Sequence, residues 1–168
     1  MIVEPYSPED REGVLRLYLQ FNEDRIAFGA GDARYKYIEG ETPWANTLND
    51  RNCKNFVAKE KGIVLGFITT RILEYNPFEK IKGLGEIDLI VVERSLRRRG
   101  IGTILFKRAA KHIESQNASH ILLNVSTKNL PAIKFWTKMG FQAISKSCFE
   151  HHGGEREEIV YMMGKSEV

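Results

Sequence analysis

Arg97-Arg98-Arg99-Gly100-Ile101-Gly102-Thr103 is the stretch that decides the fold. The β-branched run before it, residues 87–92, is typical of a strand, and apolar residues at helical spacing follow it from Ile104 to Ile113. The first N–H groups of a helix have no partner within that helix, so a basic, glycine-bearing turn at this point is a candidate anion site. Glycine lets a phosphate approach the backbone, and arginine adds positive charge. The turn therefore predicts a phosphate or pyrophosphate site.

A solvated surface turn before a helix has the same composition, and the heptapeptide alone does not separate the two interpretations. Two phosphate motifs are excluded. The chain has no Gly-x-x-x-x-Gly-Lys-Ser/Thr sequence, and Leu105 stands where Gly-x-Gly-x-x-Gly needs its third glycine. RNA binding through the arginines is a weaker alternative, because the glycines are better explained by the approach of a phosphate.

Length and composition fit one globular domain over residues 1–168, with 42% hydrophobic and 28% charged residues. The net charge of +3 is mild, so nucleic acid is not a necessary partner. No apolar run has the length of a membrane span or the form of a signal peptide. We therefore expect a cytoplasmic protein without nucleic-acid or membrane partners, and a homodimer stays open.

No group of side chains has the spacing of a metal site. Cys53 and Cys148 are far apart and are expected to be free thiols, and His112 and His120 are expected at a helix surface and a strand start. We therefore expect no metal.

Hydrophobic periodicity predicts strands that are joined partly by hairpins and partly by helices, which indicates a mixed α/β sheet. Ser7 and Pro8 are typical of a helix start, and that helix is expected to run through Phe21. One or two further helices are expected within 22–55, and Asn76-Pro77 is expected to begin a loop. The remaining predictions are strands 55–60, 63–73, 119–126, 141–149 and 157–163, a turn at 61–62, a helix at 129–139 and a turn at 151–154.

A second motif covers residues 129–141. Asn129 is a suitable helix cap, Gly140 a suitable stop, and Ala132, Phe135, Trp136 and Met139 form one apolar face. In isolation the segment is explained equally well as an ordinary core helix.

Together, Arg-x-x-Gly-x-Gly after a strand and the later Asn-x-x-Ala-x-x-Phe-Trp-x-x-x-Gly-Phe resemble the GNAT superfamily of N-acetyltransferases. The resemblance covers the chain from the hairpin that begins near Phe56 to the end. Residues 148–156 are also similar to the last hairpin of ribosomal-protein-type N-acetyltransferases. The resemblance implies a mixed, mostly antiparallel central sheet, flanked by helices and splayed at two central strands, 86–92 and 119–126.

The resemblance also implies acetyl-CoA as the co-substrate, lying against the splayed strands. Backbone groups of residues 90–92 would bind the pantetheine, amides of residues 98–103 would cradle the pyrophosphate, and the arginine side chains would contribute less. The residues implied in cofactor binding are Ile90, Val91, Val92, Arg97, Arg98, Arg99, Gly100, Ile101, Gly102, Thr103, Asn129 and Trp136.

The implied reaction is direct attack by a primary amine on the thioester. An alkyl ammonium with a pKa of about 10.4 must lose a proton first, so a base is needed. Glu86 is the first candidate, because it precedes Arg97 by 11 residues, the position of the catalytic glutamate in the histone-type branch. Asp88 is the second, on the same face of the strand. Either acid could instead be a structural surface group.

Two positions depart from the family pattern. Trp136 stands where many relatives have a tyrosine acid, and indole cannot titrate as one. Asn124 stands where ribosomal-protein-type enzymes have a glutamate base. Tyr75, Tyr161 or a histidine of the 151–152 pair would be needed as a substitute acid, and nothing in the sequence selects among them.

Three functions remain. Acids and aromatic residues between positions 22 and 55 suit a small cationic amine, although a solvated helix face has the same composition. The last hairpin favours a protein or peptide acceptor, through an N-terminal or a lysine amine. Trp136 and Asn124 favour a non-catalytic, acyl-CoA-binding regulatory module.

Overall fold

The computed structural model describes residues 1–28, 48, 50, 52–74, 81–151 and 154–164, and of residues 149–151 and 154–156 it describes the backbone alone. The strands are β1 Ile2–Pro5, β2 Cys53–Glu60, β3 Ile63–Leu73, β4 Leu84–Val92, β5 His120–Ser126, β6 Gln142–His151 and β7 Gly154–Gly164. The helices are α1 Arg11–Ala27, α2 Ile101–Ser115 and α3 Leu130–Lys138, with 3-10 turns at Pro8–Asp10 and Arg94–Leu96.

The seven strands form one sheet in the order β1-β2-β3-β4-β5-β7-β6. Neighbouring strands are antiparallel except β4 and β5, which are parallel. These two strands pair only from Leu84–Glu86 to His120–Leu122, and their remaining halves are unpaired with each other. The predicted fold class, including the splay at two central strands, is therefore confirmed.

The two faces of the sheet bury separate cores. On one face α2 and α3 pack through residues such as Leu105, Phe106 and Trp136. On the other, Val14 and Leu17 of α1 pack on Phe67 and neighbouring strand residues. Helices on both faces leave the splayed ends of β4 and β5 as an opening within the sheet.

Close packing of α2 on β4 depends on one glycine. A Cβ atom at Gly85 would lie 2.3 Å from Cγ2 of Ile113, well inside van der Waals contact. The absence of a side chain lets α2 lie close to the paired end of β4.

The central elements agree with the sequence predictions, and the ends of several elements do not. The 61–62 turn has positive φ at Lys61 (50°) and Gly62 (79°), as a two-residue hairpin loop of primed type requires. The first helix is longer than predicted, because it continues to Ala27, where Asp24 and its neighbours contact the turn after β4. β2 also begins earlier, and β6 and β7 are longer.

Other predictions have a more limited outcome. Most of the segment predicted to be helical within 22–55, the Asn76-Pro77 loop and the centre of the last turn lie outside the described residues. Among the helices that are described, none combines the length and hydropathy needed to cross a bilayer.

Candidate active site

A cleft opens where β4 and β5 separate, and it encloses a cavity of about 140 Å³. One wall is residues 87–90 of β4 and the other is residues 123–126 of β5. One further side is closed by α3 and its cap, through Asn129, Ala132 and Trp136. Another is closed by the end of α1 and the residue after it, through Phe21, Arg25 and Phe28. A cleft between separated strands exposes backbone N–H and C=O groups that would be hydrogen-bonded in a paired sheet.

A β-bulge places Asp88 in this cleft. Thr70 of β3 pairs with Ile87 and Thr69 pairs with Leu89, so Asp88 has no partner on β3. Consistent with the extra residue, Ile87 and Ile90, three positions apart, both pack into the core beneath α2. A bulge of this kind re-aims side chains at the edge of an active site.

Glu86 lies just before the splay. It is the last residue of β4 to pair with β5, opposite Leu122, and it faces Arg71 across the β3–β4 ladder. Its side chain is half-buried, and it does not line the cavity. Of the two predicted bases, Asp88 is therefore the one in the wall of the cleft.

The pKa values of both carboxyl groups are raised above their usual range. Burial raises the pKa of Glu86, the Asp88 carboxylate raises it further, and the Arg71 guanidinium opposes the rise. The Asp88 side chain is open to solvent through the cleft, yet desolvation by the cleft walls raises its pKa, again against Arg71. A carboxylate whose pKa moves towards neutrality is a better proton acceptor.

The turn that is predicted to bind an anion lies at the start of α2. Arg98 (φ 66°) and Gly100 (φ 86°) adopt left-handed backbone conformations. The N–H of Ile104 donates a hydrogen bond to the carbonyl oxygen of Gly100 at 3.1 Å. The N–H groups of the preceding first turn have no acceptor within the helix. A Cβ atom built on Gly100 would meet nothing within 4 Å, so the space beside the turn is open. A diphosphate fits this set of backbone donors.

Arg97 has a different environment from its neighbours. Its Nε donates to the carbonyl oxygen of Val92 at 3.1 Å, and its guanidinium pairs with Asp24 of α1. Arg94 pairs with the other oxygen of the same carboxylate at 2.8 Å. Arg98 and Arg99 are exposed, and no acid of the described part of the chain pairs with either. The Arg97 side chain therefore joins α1 to the turn, and its predicted cofactor contact remains a prediction.

Asn129 and Trp136 both line the cleft, and both also have structural contacts. Asn129 Oδ1 accepts from the N–H of Ala132 at 3.2 Å and caps α3 as predicted. Trp136 is 4% exposed and stacks edge-on against Phe106, Phe135 and Phe141. The Trp136 side chain is thus part of the core, with one edge on the cleft.

The substitute acids proposed from the sequence receive little support. Tyr161 is buried in the core beneath α2 and α3 and does not line the cavity. Tyr75 and His152 lie outside the described residues, as does the side chain of His151. Asn124 does line the cavity, in place of a carboxylate.

The other candidates have structural contacts. His120 begins β5 as predicted, and its Nδ1 lies 2.9 Å from Ser119 Oγ. His112 is half-buried against Phe56 and not purely a surface residue. Cys53 and Cys148 are free, and within the described ranges no cluster of three possible metal ligands occurs.

Sequence reasoning missed the contribution of α1 and the role of the bulge. Phe21, Arg25 and Phe28 continue the spacing of Leu17, so the helical period beyond Phe21 was the signal that would have found them. The bulge at Asp88 had no such signal, because it arises from the register of β3 against β4.

Comparisons with known proteins agree with this geometry. The family model described as Acetyltransferase (GNAT) family matches residues 14–141. An N-alpha-acetyltransferase of Sulfurisphaera tokodaii is 35% identical over 122 residues, which are 68% of this chain and 71% of that protein. A streptothricin acetyltransferase of Streptomyces lavendulae is 32% identical over 67% of this chain and 58% of its own length.

A solved structure shares the fold at low sequence identity. The ribosomal-protein-alanine N-acetyltransferase of Brucella melitensis superposes with a TM-score of 0.71 at 16% identity, over 98% of this chain and 99% of its own. The resemblance to the superfamily is therefore confirmed by the family model, and the structural match shows that a ribosomal-protein-type member has the same fold. The cleft between splayed strands, the open helix start and the family match together establish that the chain is an acetyltransferase of the GNAT family.

Proposed function

We propose that the protein transfers the acetyl group of acetyl-CoA to the primary amine of a small cationic acceptor, at the cleft between β4 and β5. The observation that carries this proposal is the Asp88 carboxylate in the wall of the cleft, with Glu86 beside it and the rings of Phe21 and Phe28 on the facing helix.

The donor side is proposed to be mostly backbone. Pantetheine would lie along residues 90–92, and the diphosphate would accept hydrogen bonds from amides of residues 98–103. Exposed Arg98 and Arg99 would add charge, while Asn129 and Trp136 would flank the arm of the cofactor. The exposed glycine at the helix start and the open space beside it support this arrangement.

The chemistry needs one proton acceptor and one oxyanion donor. We propose that Asp88, with Glu86 as its neighbour, takes the proton of the acceptor ammonium directly or through water. The amine nitrogen then bonds to the thioester carbonyl carbon, and an unpaired backbone N–H of β4 would stabilise the oxyanion. Collapse of this intermediate breaks the carbon–sulfur bond and releases the thiolate of CoA, which takes up the remaining extra proton of the nitrogen directly or through water.

The acceptor class follows from the charges of the cleft. Carboxylates attract a cationic amine, and aromatic faces contribute a further cation–π attraction. Arg25 also lines the cavity, so the second positive charge of a diamine would lie away from α1, on the side of Glu86 and Asp88. The small-molecule acetyltransferase among the relatives supports this acceptor class.

A peptide or protein N-terminus is the second candidate. It is favoured by the similarity to an N-alpha-acetyltransferase, which covers 71% of that relative. An acyl-CoA-binding module without catalysis is the third, and it depends on Trp136 and Asn124 at the two departures from the family pattern.

A thiol-release assay distinguishes the three. Purified protein and acetyl-CoA are incubated with polyamines, aminoglycosides, amino acids and peptides, and free CoA is measured with a thiol reagent. Fastest release with small cationic amines is the expected result. Faster release with peptides would favour the second candidate, and binding of acetyl-CoA without release in any reaction would favour the third.

A further inference from the structure

We propose that Arg71 is a positioning residue of this site: its guanidinium faces the Glu86–Asp88 pair from the neighbouring strand and keeps a carboxylate of that pair ionised as the base. This inference rests on the proposed function and names a residue that neither the motifs nor the family match singles out.

The strand register brings Arg71 to the acids. Arg71 of β3 lies directly opposite Glu86 of β4 in the antiparallel ladder. Residues directly opposite each other project from the same face of a sheet, with their Cβ atoms about 5 Å apart. The bulge follows two residues later on β4 and turns Asp88 into the cleft, next to the Arg71–Glu86 pair.

Within the described ranges, few other charges face the two acids from the neighbouring elements. Cys53 on β2 lies opposite Arg71, while Leu122 and Asn124, the nearest residues of β5 on that face, carry no charge. α1 contributes Arg25 on the far wall of the cleft. Among these groups, Arg71 is the cation that opposes the rise in pKa of both carboxyls.

Each of two neighbouring, partly desolvated carboxylates disfavours the charge of the other, and a nearby cation offsets this effect. A direct ion pair with Arg71 would be unsuitable for a base, because it would hold the pKa of the acid far below 7. In the described part of the chain, Arg71 makes no ion pair within 4 Å with either acid. It therefore acts on the pair through space.

Arg71 is held in place from its other side. Cys53 lies opposite Arg71 in the β2–β3 register, and its thiol raises the pKa of Arg71, with smaller contributions from Asp88 and Glu86. The Nε of Arg71 is buried and, within the described ranges, has no hydrogen-bond partner. Packing between Cys53 and Glu86 thus fixes the charge beside the acids.

The direct test is a carboxyl titration that needs no substrate. Side-chain carboxyl carbons are followed by NMR against pH in the wild-type protein and in Arg71→Met, Arg71→Gln and Arg71→Lys, with Glu86→Gln and Asp88→Asn used to assign the signals. Arg108→Met is the matched control, because Arg108 lies over the Phe56 ring at 4.4 Å, on the opposite core, and its loss changes the net charge equally.

Removal of the Arg71 charge is expected to raise the titration midpoint of at least one of the two acids by about one pH unit, the effect of a nearby opposite charge. Arg71→Lys should lie closer to wild type, and Arg108→Met should leave both midpoints unchanged. Unchanged midpoints in folded Arg71→Gln or Arg71→Met would overturn the proposal, and so would an equal shift in Arg108→Met.

Kinetics supply the second measurement. The acidic limb of kcat/KM against pH should move upwards in Arg71→Gln by the same amount as the NMR midpoint, whereas a merely structural role would lower activity equally at every pH. A protein that acetylates no amine but shows the NMR shift would contradict the proposed function and keep the electrostatic role. Acetylation of an amine with unchanged NMR midpoints would keep the proposed function and contradict the electrostatic role of Arg71.

Discussion

The proposed donor side and the proposed acceptor side of the cleft are built in opposite ways. The proposed cradle from Arg98 to Thr103 is one contiguous stretch, and its donors would be backbone amides. The proposed acceptor side brings together Phe21 of α1, Arg71 of β3 and Asp88 of β4, and its chemistry would depend on side chains. A feature built from adjacent backbone groups can be recognised in a sequence, whereas one assembled across strands depends on register.

The largest effect is expected from the acceptor side, at the bulge. Asp88→Asn removes the proton acceptor in the cleft wall, and general-base catalysis contributes about 100-fold or more. We therefore expect kcat to fall by about that factor, measured by thiol release at saturating acceptor, while acetyl-CoA affinity is retained. Glu86→Gln, outside the cavity, should cost less. The reverse order would identify Glu86 as the base.

A pair of glycines tests the donor side. Gly62 and Gly100 both have positive φ, and a Cβ atom on either would meet nothing within 4 Å. Alanine at each position should destabilise the fold similarly, by about 1 kcal/mol, because the left-handed conformation disfavours a side chain. Only Gly100→Ala is expected to weaken acetyl-CoA binding, by about tenfold, measured by calorimetry. Equal affinities in the two variants would argue against the cradle.

A smaller effect is expected where the two sides are joined. The Asp24 carboxylate bridges Arg94 and Arg97, and Gln20 Nε2 donates to Val92 O at 3.1 Å, so the helix that lines the acceptor side is tied to the turn that begins the cradle. Asp24→Asn should raise KM for both substrates several-fold, since bonds to charged groups are worth about 1.5 kcal/mol or more. Glu23→Gln is the control, because Glu23 is exposed and makes one contact of 3.2 Å with Arg94. A change in the KM of only one of the two substrates would show that the donor side and the acceptor side are independent.

The smallest effect is on stability, and it should have the opposite sign to the effect on activity. When folding raises the pKa of an acid, ionisation of that acid destabilises the folded state. The destabilisation is fully present above the raised pKa and vanishes below the unfolded pKa of about 4. Asp88→Asn should therefore raise Tm slightly at pH 7, since solvent screens the exposed carboxylate, and should leave Tm unchanged at acidic pH. A lower Tm at pH 7 would show that the ionised carboxylate stabilises the fold.

Much of the fold was predictable because it depends on short-range patterns. The Lys61-Gly62 turn, the strand 63–73 and the cap at Asn129 each follow from a few neighbouring residues. The GNAT resemblance then supplied the splay of the two central strands, which local patterns do not contain.

The candidate site was predictable only in part. The turn at residues 98–103 and the cap at Asn129 are formed, and their contacts with the cofactor remain predictions. Arg97 instead contacts Asp24, and Asp88 rather than Glu86 lines the cleft. Both differences arise from contacts between elements distant in the chain. The single domain, the cytoplasmic location and the homodimer remain predictions.

The central claim is that carboxylates in the cleft select a cationic amine, and it can be tested most directly with two acceptors of equal length. A linear diamine and the corresponding amino alcohol present the same reacting amine and differ by one positive charge. Steady-state thiol release should give a kcat/KM about tenfold or more higher for the diamine, with the difference reduced at high salt, because the attraction is electrostatic. Equal values for the two acceptors, or a higher value for the amino alcohol, would contradict the account.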